Sequence, residues 1–199
     1  MTSESRSRLI TATRELLAER GYTGTSPQLI QERAGVGQGS MYHHFAGKPG
    51  LAAAALAESG DALLAAAAGS FDGPGSVFDR VAHYLRRERP VLHGCPVGRM
   101  TEDPEVMASD ALRAPVELAL QRLQARISEL LVEGQRSGEF SARIAPARLA
   151  ATIAATVQGG YVLSKASRDV QPFTDAVEGM IELLQSQLAP ADPTLSERA

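Results

Sequence analysis

Apolar residues recur at three- and four-residue intervals along almost the whole chain, and no alternating β-branched run bounded by turn signals argues for a sheet. The expected fold class is therefore all-α. A first helix runs from about Ser5 to Arg20, with Leu9, Ile10, Thr13, Leu16 and Leu17 on one stripe, and stops at Gly21. Thr25 and Ser26 offer hydroxyl caps, Pro27 suits a first helical turn, and Gln28 stands three residues after Thr25 as a capping box requires. A short second helix from Pro27 to Ala34 follows. It ends at Gly35-Val36-Gly37, and a third runs from Gln38 to Phe45. A long Ala- and Leu-rich helix spans Lys48 to about Ala68, and Val77, Phe78, Val81, Tyr84 and Leu85 carry a fifth toward Pro90. Beyond an irregular segment around His93 to Gly98, further helices are expected at about Pro115 to Ser137, Pro146 to Ser167 and Pro172 to Leu188.

Composition narrows the setting. The chain has 199 residues, 44% hydrophobic and 22% charged, enough for one globular unit or two small ones sharing a core. No apolar run approaches the roughly 18 residues of a membrane span, and the amino end is polar rather than a secretory leader, so the expectation is a cytoplasmic protein without a membrane partner. The single cysteine, Cys95, excludes an intrachain disulfide and any zinc site built from several thiolates. No cofactor is implied. The net charge of −3 hides an asymmetry: residues 1–50 hold six basic against four acidic residues, an excess of two positive charges, and the remainder carries −5. The basic end is a candidate polyanion contact.

The motif that gives this charge a use lies between Thr25 and Phe45. Two short helices around a tight Gly-containing turn have the logic of a helix-turn-helix, with Ile30, Ala34, Val36, Met41 and Phe45 spaced to face inward. Gln38, Ser40, Tyr42 and His43 are left on the outer face of a narrow helix that fits a major groove about 12 Å wide. Gln38 is suited to an adenine edge. Gly39 allows close backbone approach, while Ser40, Tyr42 and His43 can donate to phosphate oxygens. Thr25 and Ser26 at a helix N-terminus, and Lys48 at the rim, complete the candidate DNA-binding set. His43 and His44 are adjacent, so their side chains point about 100° apart on a helix and make a poor pair of metal ligands.

Gly21-Tyr22, Thr25-Ser26, Ile30, Glu32-Arg33-Ala34-Gly35-Val36, Gly39-Ser40-Met41-Tyr42-His43-His44-Phe45, Lys48 and Leu51 resemble, in order and spacing, the DNA-binding domain of TetR-type transcriptional regulators. The resemblance implies a helix-turn-helix domain at 1–47, a larger helical ligand-binding and dimerisation domain at 48–189, and a tail at 190–199 expected to be disordered. Gly37, Gln38, Gln31 and Leu29 depart from the usual family pattern; they bear on the bases read rather than on the mode of docking. The segment Gly94-Cys95-Pro96-Val97-Gly98, with Gln158-Gly159-Gly160, is similar to an efflux-linked subgroup, the LmrA-like type.

A regulator needs a second input, and a cavity among helices is the usual place for one. Cys95, Arg99, Met100, Met107, Gln158 and Tyr161 are the candidate lining of a small-molecule effector pocket, with ordinary core packing as the alternative. The last two helices present Leu149, Ile153, Val157, Gly160 and Leu163, then Phe173, Val177, Met180, Ile181, Leu184 and Leu188. Those stripes exceed what one small core needs and suggest a homodimer through a four-helix interface. The function expected is a repressor on a pseudo-palindromic operator, released by its effector through a shift of the fourth helix. Two rival classes are a helical ligand-binding or adaptor protein without DNA binding, and a thiol enzyme. The second has little to stand on, since His93 and Cys95 are two apart on an irregular loop with no third group to orient them, and no enzyme is expected.

Overall fold

The computed structural model describes residues 2–143 and 145–189; the expected tail at 190–199 lies outside them. Its helices are α1 (Thr2–Arg20), α2 (Pro27–Ala34), α3 (Gln38–His44), α4 (Gly47–Phe71), α5 (Val77–Arg86), α6 (Pro104–Ala108), α7 (Asp110–Arg136), α8 (Pro146–Ser167) and α9 (Gln171–Gln185). Among the described residues the only extended pairing is a lone antiparallel bridge between Phe140 and Leu188, so the fold is all-α.

Local chemistry explains where α5 begins. Ser76 opens α5 with a reciprocal box in which its hydroxyl accepts the Asp79 N–H at 3.1 Å and the Asp79 carboxylate accepts the Ser76 N–H at 3.2 Å. Glu139, distant in sequence, accepts the next two orphan N–H groups of that helix, from Val77 at 2.9 Å and Phe78 at 2.7 Å. Val77, Val81, Tyr84 and Leu85 then bury one stripe.

Two expectations change. α7 starts at Asp110 and runs through Pro115, which lies inside the helix and leaves the Ala111 carbonyl without the N–H it would otherwise accept. The segment after α5, read as irregular, holds two 3-10 turns at Val91–His93 and Gly98–Glu102 and then α6, whose N-terminus is capped by Asp103.

Helix α4 runs from the N-terminal trio into the rest of the chain, packing against α1, α5 and α7. Among the described residues it alone is long and apolar enough, by length and composition, to cross a membrane. Here it is a core helix, with Leu51, Ala55, Leu56, Gly60, Ala67 and Phe71 buried. Gly60 sets its distance from α7, because a Cβ there would stand 2.7 Å from the Ala119 Cβ.

The last two helices correct one expectation. Ile153, Val157, Gly160, Phe173, Val177, Met180, Ile181 and Leu184, read as surplus for a partner, are buried in the chain's own core. They pack α8 on α9, so closely that a Cβ on Gly160 would come within 2.9 Å of the Phe173 ring. The apolar residues left in solvent lie on the other side: Val162 (58% exposed), Leu163 (57%) and Leu183 (61%).

Candidate nucleic-acid interface and effector cavity

Gly35 closes α2 in the left-handed region (φ 62°), where a Cβ would be strained. The turn is tied by N–H donations from Gly35 to the Glu32 carbonyl at 3.3 Å and from Val36 to the Gln31 carbonyl at 3.1 Å. α3 leaves Gly37 with no side-chain cap. It is pinned from inside by Met41, fully buried, and by Phe45, with Ile30 and Ala34 buried opposite them. The Gln31 amide also donates to the Met41 sulfur at 3.6 Å.

Pinning that face fixes the other. Gln38, Gly39, Tyr42 and His43 are exposed, Ser40 is half-buried, and a Cβ on Gly39 would meet nothing within 4 Å. Tyr42 is 53% exposed although aromatic, a side chain displayed rather than packed. Ser26 is exposed and its hydroxyl caps α2 by accepting the Leu29 N–H at 3.2 Å. Two expectations shift here. Thr25 is buried and its hydroxyl is spent on the Gly21 carbonyl at 2.7 Å, so it braces the turn rather than facing a phosphate, and the Thr25–Gln28 capping box does not form. Gln28 instead donates to the Glu32 carboxylate at 2.9 Å. Lys48, expected at the rim, lies with its ammonium 3.8 Å from the centroid of the Tyr22 ring, and burial lowers its pKa against the pull of Glu105 and Asp103.

Two cavities meet at Gly94, Cys95 and Tyr161. The smaller, about 250 Å³, is lined by Cys95, Arg99, Gln158 and Tyr161 together with Gly98 and Lys165. Four of the six expected pocket residues are thus side by side. Met100 is fully buried in the core, whereas Met107 is 42% exposed on an outer groove formed with α7, so neither belongs to that lining. The larger cavity, about 490 Å³, reaches between α1, α4 and the end of α5. Burial raises the Tyr161 hydroxyl pKa, partly offset by the nearby Arg89 charge.

Family comparison matches two segments of the chain. Residues 9–55 match the model for bacterial regulatory proteins of the tetR family, and residues 75–180, more than half the chain, match the tetracyclin repressor-like C-terminal domain. The chain belongs to the TetR family. It is a DNA-binding transcriptional regulator with an N-terminal helix-turn-helix and a larger helical domain. The transcriptional regulator AcuR of Cereibacter sphaeroides is 31% identical over 150 residues, covering 71% of this chain and 68% of that protein. The HTH-type transcriptional repressor DhaR of a Mycobacterium species is 25% identical over 182 residues, 90% of this chain and 91% of its own. A crystal structure of a TetR regulatory protein from Rhodobacter sphaeroides superposes with a TM-score of 0.79 at 26% identity, over 89% of this chain and 97% of that one.

In this TetR-family chain Arg99, in the cavity wall, and Asp103, just beyond it, also hold the end of α1 and the α1–α2 turn, which sequence reasoning missed. Arg99 donates to the Ala18 carbonyl near the end of α1. Asp103 accepts the Tyr22 N–H at 2.8 Å, the Thr23 N–H at 2.9 Å and the Thr23 hydroxyl at 3.1 Å, while its other role is to cap α6 through the N–H groups of Glu105 at 3.1 Å and Val106 at 3.3 Å. Burial alone would raise the Asp103 pKa; the hydrogen bonds, from Thr23, Val106 and Tyr22, outweigh it and hold it below 3.8. The signal available beforehand was Asp103-Pro104, a helix-start pair, but its second set of partners lies some eighty residues earlier.

Proposed function

We propose that the protein acts as a homodimeric repressor in the cytoplasm, reading a pseudo-palindromic operator with α3 and leaving it when a small-molecule effector enters the cavities around Cys95 and Tyr161. The observation that carries this reading is the exposed face of α3: Gln38, Gly39, Tyr42 and His43 stand in solvent on a helix that Met41 and Phe45 hold from behind. Gln38 reads a base edge, Ser26, Ser40, Tyr42 and His43 anchor phosphates, and Gly39 admits the backbone. The dimer forms through the outer faces of α8 and α9 around Val162, Leu163 and Leu183. It carries the two α3 helices about 34–36 Å apart, one turn of the duplex, or a multiple of that.

Effector coupling runs through the Arg99 and Asp103 contacts. Gly98, Arg99, Thr101 and Glu102 line the smaller cavity, and Arg99 and Asp103 hold α1 and the α1–α2 turn, so an effector that displaces this wall tilts the motif it grips. The protein is not an enzyme in this reading: Cys95 is buried with its sulfur accepting the Gly98 N–H at 3.2 Å, a packing role.

The test is a selection of bound duplexes from random DNA, followed by footprinting of the selected site. A two-fold symmetric consensus is expected, with affinity falling roughly 10³- to 10⁵-fold between 50 and 200 mM salt if six to ten phosphates are neutralised. Gln38→Ala in the same selection should relax one or two base positions per half-site, by about 1–3 kcal/mol each. Binding that is absent, or indifferent to salt, would replace this reading by the adaptor alternative.

A further inference from the structure

The larger cavity is lined by three cations, Arg14, Arg87 and Arg89, against two acids, Glu15 and Glu88. Arg87 and Arg89 follow α5 directly, and both line it. Arg89 is partly engaged, its Nε donating to the Arg87 carbonyl at 3.1 Å and its Nη2 to the carbonyls of Tyr84 and, at 3.1 Å, Leu85. Its remaining Nη1 is buried without a hydrogen-bond partner, and so is the Nε of Arg87. Neither guanidinium has a carboxylate within ion-pair distance among the described residues; beside the carbonyls that Arg89 holds stand the Tyr161 hydroxyl, a hydrogen-bond neighbour of Arg89, and two rings, with Tyr84 5.6 Å from Arg87 and 5.4 Å from Arg89, and Phe173 5.2 Å from Arg89. Burial, and then repulsion from Arg89, lower the pKa of Arg87.

The rest of the lining is apolar on one side and carries charges of both signs on the other. Ala18, Ala62, Leu63, Ala66 and Pro90 supply hydrocarbon surface. Of the two acids at this cavity, Glu15 is taken by Arg33 at 3.2 Å and Glu88 is exposed; Arg14, the third cation, is tied to the Ser59 hydroxyl at 3.3 Å. Two half-buried guanidinium groups without a counter-ion are costly in a protein, and an anion arriving with its own hydrocarbon offsets that cost and fills the apolar part at once. The volume of about 490 Å³ lies within the roughly 300–1,000 Å³ of small-molecule sites.

We infer that this cavity is the binding site of an amphiphilic carboxylic acid, its carboxylate held by the guanidinium groups of Arg87 and Arg89 and its hydrocarbon laid along α4 over Ala62, Leu63 and Ala66. The inference rests on the effector reading above and names the chemical class of the effector. Arginine is the side chain for this task, since its planar fork meets a carboxylate with two parallel bonds. The bound chain touches Ala18, whose carbonyl Arg99 holds, so the ligand sits against the contact through which the cavity reaches the DNA-binding motif.

The experiment is calorimetric titration of the full-length protein with decanoate, decanol and decylamine, three probes that share a hydrocarbon and differ in head group. Decanoate is expected to bind at least tenfold more tightly than decanol, and decylamine least. Arg87→Gln should lower decanoate affinity about tenfold or more and leave decanol unchanged, the loss of one charge-assisted contact. Arg87→Lys should recover part of the loss. Arg89 is spared because it also holds the α5 carbonyls. Equal affinity for decanoate and decanol in the parent protein, no binding of decanoate, or an Arg87→Gln variant that binds decanoate undiminished would each overturn the inference; the parent comparison decides even if a variant fails to fold. Operator binding measured without any acid separates the two levels. A protein that binds its operator but not decanoate refutes the acid site alone, and one that binds decanoate but no DNA refutes the regulator reading alone.

Discussion

Replacing Asp103 by Asn isolates the contact between the cavity wall and the DNA-binding motif with almost no change in volume. One carboxylate oxygen serves the N–H groups of Tyr22 and Thr23, at 2.8 and 2.9 Å, and the other serves the α6 cap and the Thr23 hydroxyl. Asparagine has a single acceptor oxygen. Because it is a strong N-cap, that oxygen stays with Glu105 and Val106, and its NH₂ then faces two N–H donors that it cannot satisfy. Two charge-assisted bonds are lost and the buried Tyr22 donor is orphaned, about 2–4 kcal/mol in all. For a chain of this size each kcal/mol moves the melting point by about 2–4 °C, so a fall of roughly 5–15 °C is expected in calorimetry. Amide exchange reads the site itself: Tyr22 and Thr23 should exchange about 30- to 1,000-fold faster, while amides in the α8–α9 pair change only as far as global stability does. Asp103 also sets a pH dependence. Its folded pKa lies below its ordinary 3.8, so its contribution is complete above about pH 4 and is lost as the pH falls through the depressed value; in Asp103→Asn that acid-side loss should shrink. A variant that melts within about 1 °C of the parent, with Tyr22 and Thr23 amides equally protected, would refute the reasoning.

Tyr42→Ala should leave the melting point within about 1 °C, since the ring is 53% exposed, while weakening operator binding by about tenfold per protomer in an anisotropy titration; equal affinity would remove Tyr42 from the interface. Leu163→Glu, alone or with Leu183→Glu, changes residues that are 57% and 61% exposed within one chain, so each protomer should fold. Sedimentation should nevertheless find monomers, with operator affinity down by at least about a hundredfold, because a two-fold interface would bury each unpaired carboxylate twice; a dimer that survives would move the interface elsewhere.

Much of this was legible before any coordinates. Met41 and Phe45 are four apart with the polar run Tyr42-His43-His44 between them, which fixes the buried side of α3 and thereby displays Gln38, Tyr42 and His43. The left-handed turn at Gly35 is likewise a local decision. Three-residue hydroxyl spacing was weaker evidence: Thr25 and Ser26 are both plausible caps in sequence, and only the Gly21 carbonyl within reach of Thr25 decided that Ser26 takes the role. Pro115 pointed to a helix start for a sound local reason, yet α7 begins at Asp110 and carries the proline inside it.

Periodicity alone also cannot assign an apolar stripe to a partner. Ile153, Val157, Phe173 and Leu184 have the spacing of an interface, and they turn inward because α8 and α9 need one another's faces, leaving Val162, Leu163 and Leu183 outside. What the amino-acid order determined by itself was the helix content, the helix-turn-helix and its displayed face, since these depend on spacings of three and four residues and on turn chemistry. What only the tertiary structure decided was which distant groups meet: Asp103 with the Tyr22 amide, Arg99 with the Ala18 carbonyl, and Arg87 and Arg89 with the faces of α1 and α4 that complete their cavity. Such meetings arise from how whole helices pack, and packing is set by the summed shape of many side chains rather than by any local run.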